Sequence, residues 1–302
     1  MIAILKLVLT SSLLAVGGTL FPFLFLFFPV LFTTEAIKQG IVRVMATFLG
    51  VCVIFGLVLS PGAGVILFAL FGPLIMTLDY CIRSRQNVDV TMVASSLILL
   101  ASIVFVLYIS GTLASIQDGS LVEALLANQK ALLEATDFEP GQVSDLLANA
   151  RVALNFFHSM LPSIILLTAL LIVYVSYSLT GRRLLAQGEL IKQPSSFIFF
   201  SHPRQPIFFG FVTVLALYLL GTLSALEVEL IQNNLLFTLT ALISFQGLSV
   251  VAYYLTRWIK VRLVRSILLV VVFLIPGIQM GLAFLGLIDQ VFNLRRLPGQ
   301  RR

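Results

Sequence analysis

The sequence predicts an all-α fold: a polytopic transmembrane bundle of about eight helices, with seven and nine as the limits. Three observations carry it. Of the 302 residues, 59% are hydrophobic and only 11% are charged, against roughly half and about a quarter in soluble domains. Apolar runs recur at about 20 residues, the length that crosses the hydrocarbon core. The runs are continuous rather than alternating, so the backbone closes its own hydrogen bonds as helices and not as a barrel.

In chain order the candidate crossings are residues 4–18, 21–34, 41–59, 64–82, 91–115, 155–179, 206–223, 232–255 and 263–288. The first begins MIAILKLVLTSS, like a signal peptide. No small-x-small cleavage site precedes the next apolar run, so it reads as retained. The second run is short and holds Pro22 and Pro29. Proline removes a helix hydrogen bond and bends the axis, which predicts a half-helix or a membrane-embedded loop there.

Residues 116–154 form the one sizeable polar segment, with Asp118, Glu123, Glu134, Asp137, Glu139 and Asp145 against Lys130 and Arg151. It reads as two amphipathic helices. Ser120-x-x-Glu123 has the form of a capping box, with Leu121, Leu125 and Leu132 on one face. A second stripe, Val143, Leu146, Leu147 and Ala150, follows Pro140, which suits a first helical position. The expected arrangement is a hairpin on the membrane surface or capping the bundle; a lid over an outward-facing pocket is the alternative. The chain then divides into an N-terminal bundle (1–115), this hairpin (116–154) and a C-terminal bundle (155–302), integrated into one membrane domain.

Lysine and arginine orient such bundles by gathering on the cytoplasmic side. Arg182, Arg183, Lys192 and Arg204 fall in one gap, and Arg257, Lys260, Arg262 and Arg265 in another. Lys38 with Arg43, and Arg83 with Arg85, lie on the same side, whereas the alternate gaps hold no cations or only Glu227 and Glu229. The basic gaps are therefore placed in the cytoplasm and the 116–154 hairpin outside a bacterial inner membrane. The tail conflicts with this count. A straight crossing through 263–288 ends outside, yet Arg295, Arg296, Arg301 and Arg302 favour the cytoplasm. A straight crossing is the expectation; a break at Pro276-Gly277 that turns the chain back is the alternative.

The formal charge of +6 is scattered through these gaps rather than gathered on one face, so no nucleic-acid partner is expected. Cys52 and Cys81 offer neither metal spacing nor a disulfide framework. His158 and His202 stand alone, without neighbours spaced for a metal. No glycine-rich phosphate loop and no serine nucleophile motif occurs. The expectation is a protein that is not an enzyme and needs no cofactor or metal.

Polar groups at membrane depth are costly unless paired, and they supply the candidates. Gln246 lies mid-span, either in an interhelical hydrogen bond or against a ligand. Gln279 follows Pro276, where it contacts a solute or satisfies carbonyls freed by the bend. Asn155, at the outer start of its span, caps a helix or faces a pocket. Asp79 and Arg83, four apart at a helix end, read as a local ion pair. Asp289, just past an apolar run, reads as a helix-end acid pairing with Arg295 or Arg296. Gly277-x-x-x-Gly281 would allow close helix packing. Tyr253, Tyr254 and Trp258 read as an interfacial belt.

Three stretches of the second half carry a family resemblance: NLLFTLTALISFQGLSVVAYYLTRW (Asn234 to Trp258), the ending GLIDQVFNLRR, and LPSIILLTALLIVYVSYSLTGRRLLAQG. They resemble the bacterial membrane-protein family YybS, or DUF2232, with its Asn-Leu-Leu start, its Gln-Gly pair and its Gly-Leu-x-Asp, aromatic, Arg ending. Asn293 departs from the pattern, since an acid is expected there. The resemblance groups the chain with the S components of energy-coupling-factor transporters. GGTLFPFLFLFFPVLF is similar to their membrane-dipping loop, and LFGPLIMTLDY to their Gly-Pro helix start. It implies a small-solute subunit working with a transmembrane coupling subunit and ATPases, with Ser11 and Ala15 as the matching pair on the first helix. The alternative is a non-transporting scaffold or assembly factor acting through protein partners.

Overall fold

A computed structural model describes residues 2–136, 140–189, 191–223, 228–275 and 277–297. Expectations that rest on Asp137, Glu139, Glu227, Pro276, Arg301 and Arg302 fall outside the described residues. The chain forms two compact units, one of residues 1–158 with 165–194 and one of residues 159–164 with 195–302. Among the described residues its regular structure is all helical, with no strand.

The first unit opens with α1 (Ile2–Leu20). A 3-10 turn at Pro22–Phe27 follows, then α2 (Phe28–Gln39). The two prolines do what their chemistry requires, starting the turn and the helix rather than sitting inside them. Gly40, at φ 91°, ends α2 in a conformation that side chains disfavour. Next come α3 (Ile41–Val58) and α4 (Pro61–Arg83). Ser60 caps α4, its hydroxyl accepting from the Ala63 amide at 3.3 Å, and Pro61 stands at the first turn. At Gly64 a side chain would strike the Cys52 carbonyl, so α3 and α4 cross at backbone contact. Phe28, Phe32, Phe48 and Phe71 interlock at centroid spacings between 4.9 Å and 5.8 Å to form the centre of the unit. The Gly72-Pro73 pair lies inside α4 and not at a helix start, which corrects the expectation drawn from LFGPLIMTLDY.

After α5 (Val88–Ile109) and the short α6 (Thr112–Gln117), the polar segment forms α7 (Ser120–Glu134) and the first part of α8 (Pro140–Leu185). Glu123 and Arg151 join the two helices at 2.9 Å, as a hairpin requires. The capping box does not form. Instead Gly119, left-handed at φ 75°, is the N-cap. The Asp118 carboxylate accepts from the Ser120 amide at 2.9 Å, a local bond that competes with the box. Its bonds to Ser120 hold the Asp118 pKa below the ordinary carboxylate value. The second hairpin helix also does not end before the next crossing. α8 runs through both as one 46-residue helix.

The second unit contains a 3-10 turn at Phe197–Phe199, then α9 (Arg204–Leu223), α10 (Glu229–Trp258), α11 (Arg262–Leu274) and α12 (Ile278–Phe292). Its backbone seam is α10 against α12. Adding a Cβ at Gly247 drives it into the Leu282 carbonyl, and at Gly286 into the Ile243 carbonyl. Gly277 and Gly281 meet nothing within 4 Å, so close packing uses Gly247 and Gly286 instead of the expected pair.

Among the described residues, six helices are long and apolar enough to cross a membrane, or seven if α11 and α12 count as one broken span. The total sits at the lower edge of expectation because α1 contributes only the shorter apolar stretch Leu5–Leu20 and the proline-divided segment is too short. The straight final crossing is corrected. α11 and α12 meet at 109°. Contacts along the seam also rise together: Ser244 with Gln279, Gly247 with Leu282 and Gly286, and Tyr254 with Leu294. α12 therefore runs parallel to α10, and Arg295 and Arg296 finish at the same end of α10 as Arg257. The conflict between the tail arginines and the basic gap disappears once the chain turns back.

Candidate functional site

At that end of the second unit, the residues after α12 fold back onto it. Asn293 is left-handed at φ 48°, a conformation that asparagine tolerates better than most residues. Its amide closes the turn from both sides, donating to the Leu297 carbonyl at 3.0 Å and accepting from the Leu297 amide at 2.8 Å. An acid at this position has no proton for the first of these bonds. The departure from the expected acid thus has a use here.

The turn returns Arg295 to Asp289, and both side chains are fully buried. Arg295 Nη2 donates to Asp289 Oδ2 at 2.7 Å and to the Phe200 carbonyl at 2.9 Å. Nη1 donates to the Ile198 carbonyl at 3.0 Å and to Ser249 Oγ at 2.6 Å, and Nε reaches Asp289 Oδ1 at 3.4 Å. Guanidinium has five N–H groups, and these contacts occupy them all. Gln246 adds its Nε2 donor to Asp289 Oδ2 at 3.1 Å, while its Oε1 accepts from the His202 amide at 3.2 Å. Gln290 donates to the His202 carbonyl at 3.1 Å. Every partner of the charge pair is therefore protein, and opposite charges in a dry environment remain paired.

Local sequence explains the assembly. Gln246 and Ser249 are three apart and share a face of α10, and Gly247 between them admits α12 close enough for Asp289 to reach the amide. The segment 197–202, between crossings, turns carbonyls inward, and the guanidinium takes those of Ile198 and Phe200. His202 is largely buried against it, which pushes its imidazole pKa below the ordinary 6.5, because burial disfavours the charged ring.

A second polar contact fastens residues 159–164 to α10. In an unbroken helix the Ser163 amide donates to the Ser159 carbonyl four residues back. Here Ser163 N–H donates to Asn234 Oδ1 at 3.1 Å, and Asn234 Nδ2 donates to the Ser159 carbonyl at 2.7 Å. The Asn234 amide is spliced into the ladder beside Pro162, and Ser163 Oγ donates to the Asn234 carbonyl at 2.7 Å.

The expected residues divide accordingly. Gln246, Asp289 and Arg295 come together. Gln279 does not join them: its side chain is exposed, and only its carbonyl is used, by Ser244 Oγ at 3.1 Å. Asn155 is exposed within α8, far from any helix start, and caps nothing. Asp79 and Arg83 form the expected pair at 2.9 Å, with Arg83 also bonded to the Ala36 and Ile37 carbonyls at the end of α2. That pair borders an open depression of about 630 Å³, together with Gln39 and Arg43. His158 Nε2 donates to the Ile116 carbonyl at 2.6 Å. Ser11 and Ala15 are both fully buried within the first unit. Among the described residues no group of three His, Cys, Asp or Glu is spaced to hold a metal.

Asn234, Ser249, His202 and Gln290 were not among the expected site residues. Asn234 and Ser249 carried a signal, since both lie in the stretch that bears the resemblance, Ser249 one helical turn after Gln246. His202 acts through its backbone amide and carbonyl, and Gln290 through a side-chain donor to that carbonyl, neither of which sequence marks.

A family model described as "Predicted membrane protein (DUF2232)" matches residues 7–290. No curated protein and no solved structure matches the chain.

Proposed function

The chain belongs to the DUF2232 family of predicted membrane proteins, and from that premise we propose a non-enzymatic scaffold or assembly factor that acts on protein partners within the bilayer. One observation carries this reading: the Asp289–Arg295 charge pair at membrane depth is closed by protein contacts. Gln246 is engaged at both ends of its amide, Asp289 by three donors and Arg295 by five acceptor contacts. The pair fixes α12 on α10 and leaves no charge for a solute, and the unpartnered atoms beside it among the described residues are the uncharged His202 Nε2 and Gln290 Oε1. The small pair Ser11 and Ala15, which a coupling subunit would need exposed, is covered within its own unit. The surfaces left open are the hairpin, with Leu125, Leu132 and Leu146 exposed beside charged neighbours, and the basic gaps.

The basic gaps, and with them Arg295 and Arg296, face the cytoplasm of a bacterial inner membrane, and the hairpin faces outward. Support comes from the common end of α10 shared by Arg257 and Arg296. An Arg296→Cys variant is then shielded from an impermeant thiol reagent in intact cells, as Arg262→Cys is; labelling of the first alone overturns the placement.

One observation favours a second reading, small-solute capture of the S-component kind. In the first unit the hydroxyls of Thr33, Ser95, Ser96, Ser176 and Thr180 are buried without a hydrogen-bond partner among the described residues. Hydroxyls in an apolar interior favour a ligand that bonds them. Native mass spectrometry of gently extracted protein separates the two readings. A co-purifying protein with no small molecule supports the scaffold. A stoichiometric small molecule that Ser95→Ala releases and Gln246→Leu retains overturns it in favour of capture in the first unit.

A further inference from the structure

Between Glu229 and Asp289 the sequence contains no carboxylate, and Asp289 is itself sealed by Arg295. The α10–α11 end of the second unit is therefore cationic without internal compensation. Arg257, Lys260 and Arg262 are exposed there, and Arg265 is half-buried one helical turn on. Arg296 is exposed at the same end, beside Leu294, whose carbonyl accepts from Tyr254 Oη at 3.2 Å. Arg257 is held in place by two rings, its guanidinium 5.5 Å from the centroids of both Tyr253 and Tyr254, within the reach of a cation–π attraction.

The apolar side of this patch is equally distinctive. Trp258 is 82% exposed, the usual setting of an indole at the level of lipid headgroups. α11 has no buried residue, and Leu263, Ile267, Val270 and Leu274 all present more than half of their surface. At 13 residues it spans about 20 Å, short of the ~30 Å hydrocarbon core. A short apolar helix that enters the bilayer beneath a ring of cations and an indole fits one environment: phosphodiester headgroups above, acyl chains below.

We propose that this end of the second unit is a docking surface for anionic phospholipid. Arg257, Lys260, Arg262 and Arg265 grip the phosphates, while Trp258 and α11 lie among the acyl chains. Charge complementarity selects the occupant, because a zwitterionic headgroup brings its own cation to a surface that holds none but cations. Each basic residue near a charged leaflet strengthens its hold by about fivefold.

The full-length protein is extracted in detergent with equal phosphatidylglycerol and phosphatidylcholine, and retained lipids are read by native mass spectrometry at low and high salt. Wild type is expected to retain phosphatidylglycerol about an order of magnitude more than phosphatidylcholine, with the preference shrinking as salt screens the contacts. The triple variant R257Q/K260Q/R262Q is expected to lose the preference, and R182Q/R183Q to keep it. Equal retention of both lipids by wild type, an unchanged preference in the triple variant, or loss in R182Q/R183Q alone overturns the proposal. If the triple variant does not fold, the charge-keeping R257K/R262K variant decides. Preserved selectivity with preserved salt sensitivity supports the electrostatic surface, and salt-independent retention overturns it.

Discussion

Two aspartate–arginine pairs, one in each unit, solve the same problem in opposite ways. Asp79 and Arg83 are four apart on α4, and the arginine is 44% exposed; Asp289 and Arg295 are six apart across a turn, and both are wholly buried. The first pair keeps a wet side, and its arginine also closes the carbonyl end of α2, where a cation is favoured. The second has no solvent to share the charge, so protein atoms supply every contact. The lesson lies in the asymmetry of consequences. A pair with one exposed partner shares its charge with water, whereas breaking a wholly buried one strands a charge.

The largest effect is expected at the buried pair. Arg295→Met leaves Asp289 charged and dry, which costs about 3–5 kcal/mol, and Asp289→Leu added to it restores most of that loss. Thermal unfolding in detergent reads both; a single variant as stable as wild type would erase the distinction between the pairs. The glycine seam that brings the pair together comes next. Gly286→Ala meets the Ile243 carbonyl and is expected to cost about 1–3 kcal/mol. Gly281→Ala, with open space around it, is expected to be neutral or slightly stabilising. Equal losses at both positions would mean that the seam lies elsewhere.

A smaller effect follows from pH. Burial lowers the His202 pKa from 6.5, so the unfolded chain takes up the proton first. Stability is then level above about 6.5 and falls as pH drops below it, with His202→Gln flattening the slope. A slope of the opposite sign, or one that the variant leaves intact, contradicts a neutral ring beside the Asp289–Arg295 pair. The smallest change is expected at the exposed Lys130–Glu134 pair, where Glu134→Gln costs below about 1 kcal/mol and less still in salt.

How much of this was legible differs between the same two pairs. Spacing of four on a helix places Asp79 beside Arg83 without further information. The Asp289–Arg295 pairing was legible only as one of two options, because it depends on the left-handed turn at Asn293. Gln246 was recognisable as a buried amide, but whether it met a ligand or a helix depended on which glycines formed the seam. Gly247 and Gly286 lie on different helices, and no spacing rule joins them. The straight last crossing failed for a related reason: hydropathy reports a run of apolar residues and is blind to a turn inside it, whereas the arginines beyond the run recorded the true end. The capping box failed because Gly119 and Asp118 offered a competing local turn one residue earlier.

The order of Asp289 and Arg295 along the chain has a consequence for biogenesis. A ribosome delivers the acid six residues before the base that neutralises it. A nascent chain halted between them carries a bare carboxylate on a helix bound for lipid, which the bilayer resists. The seating of α12 therefore depends on residues beyond its own end, since Asn293 supplies the turn and Arg295 the cation that Asp289 needs.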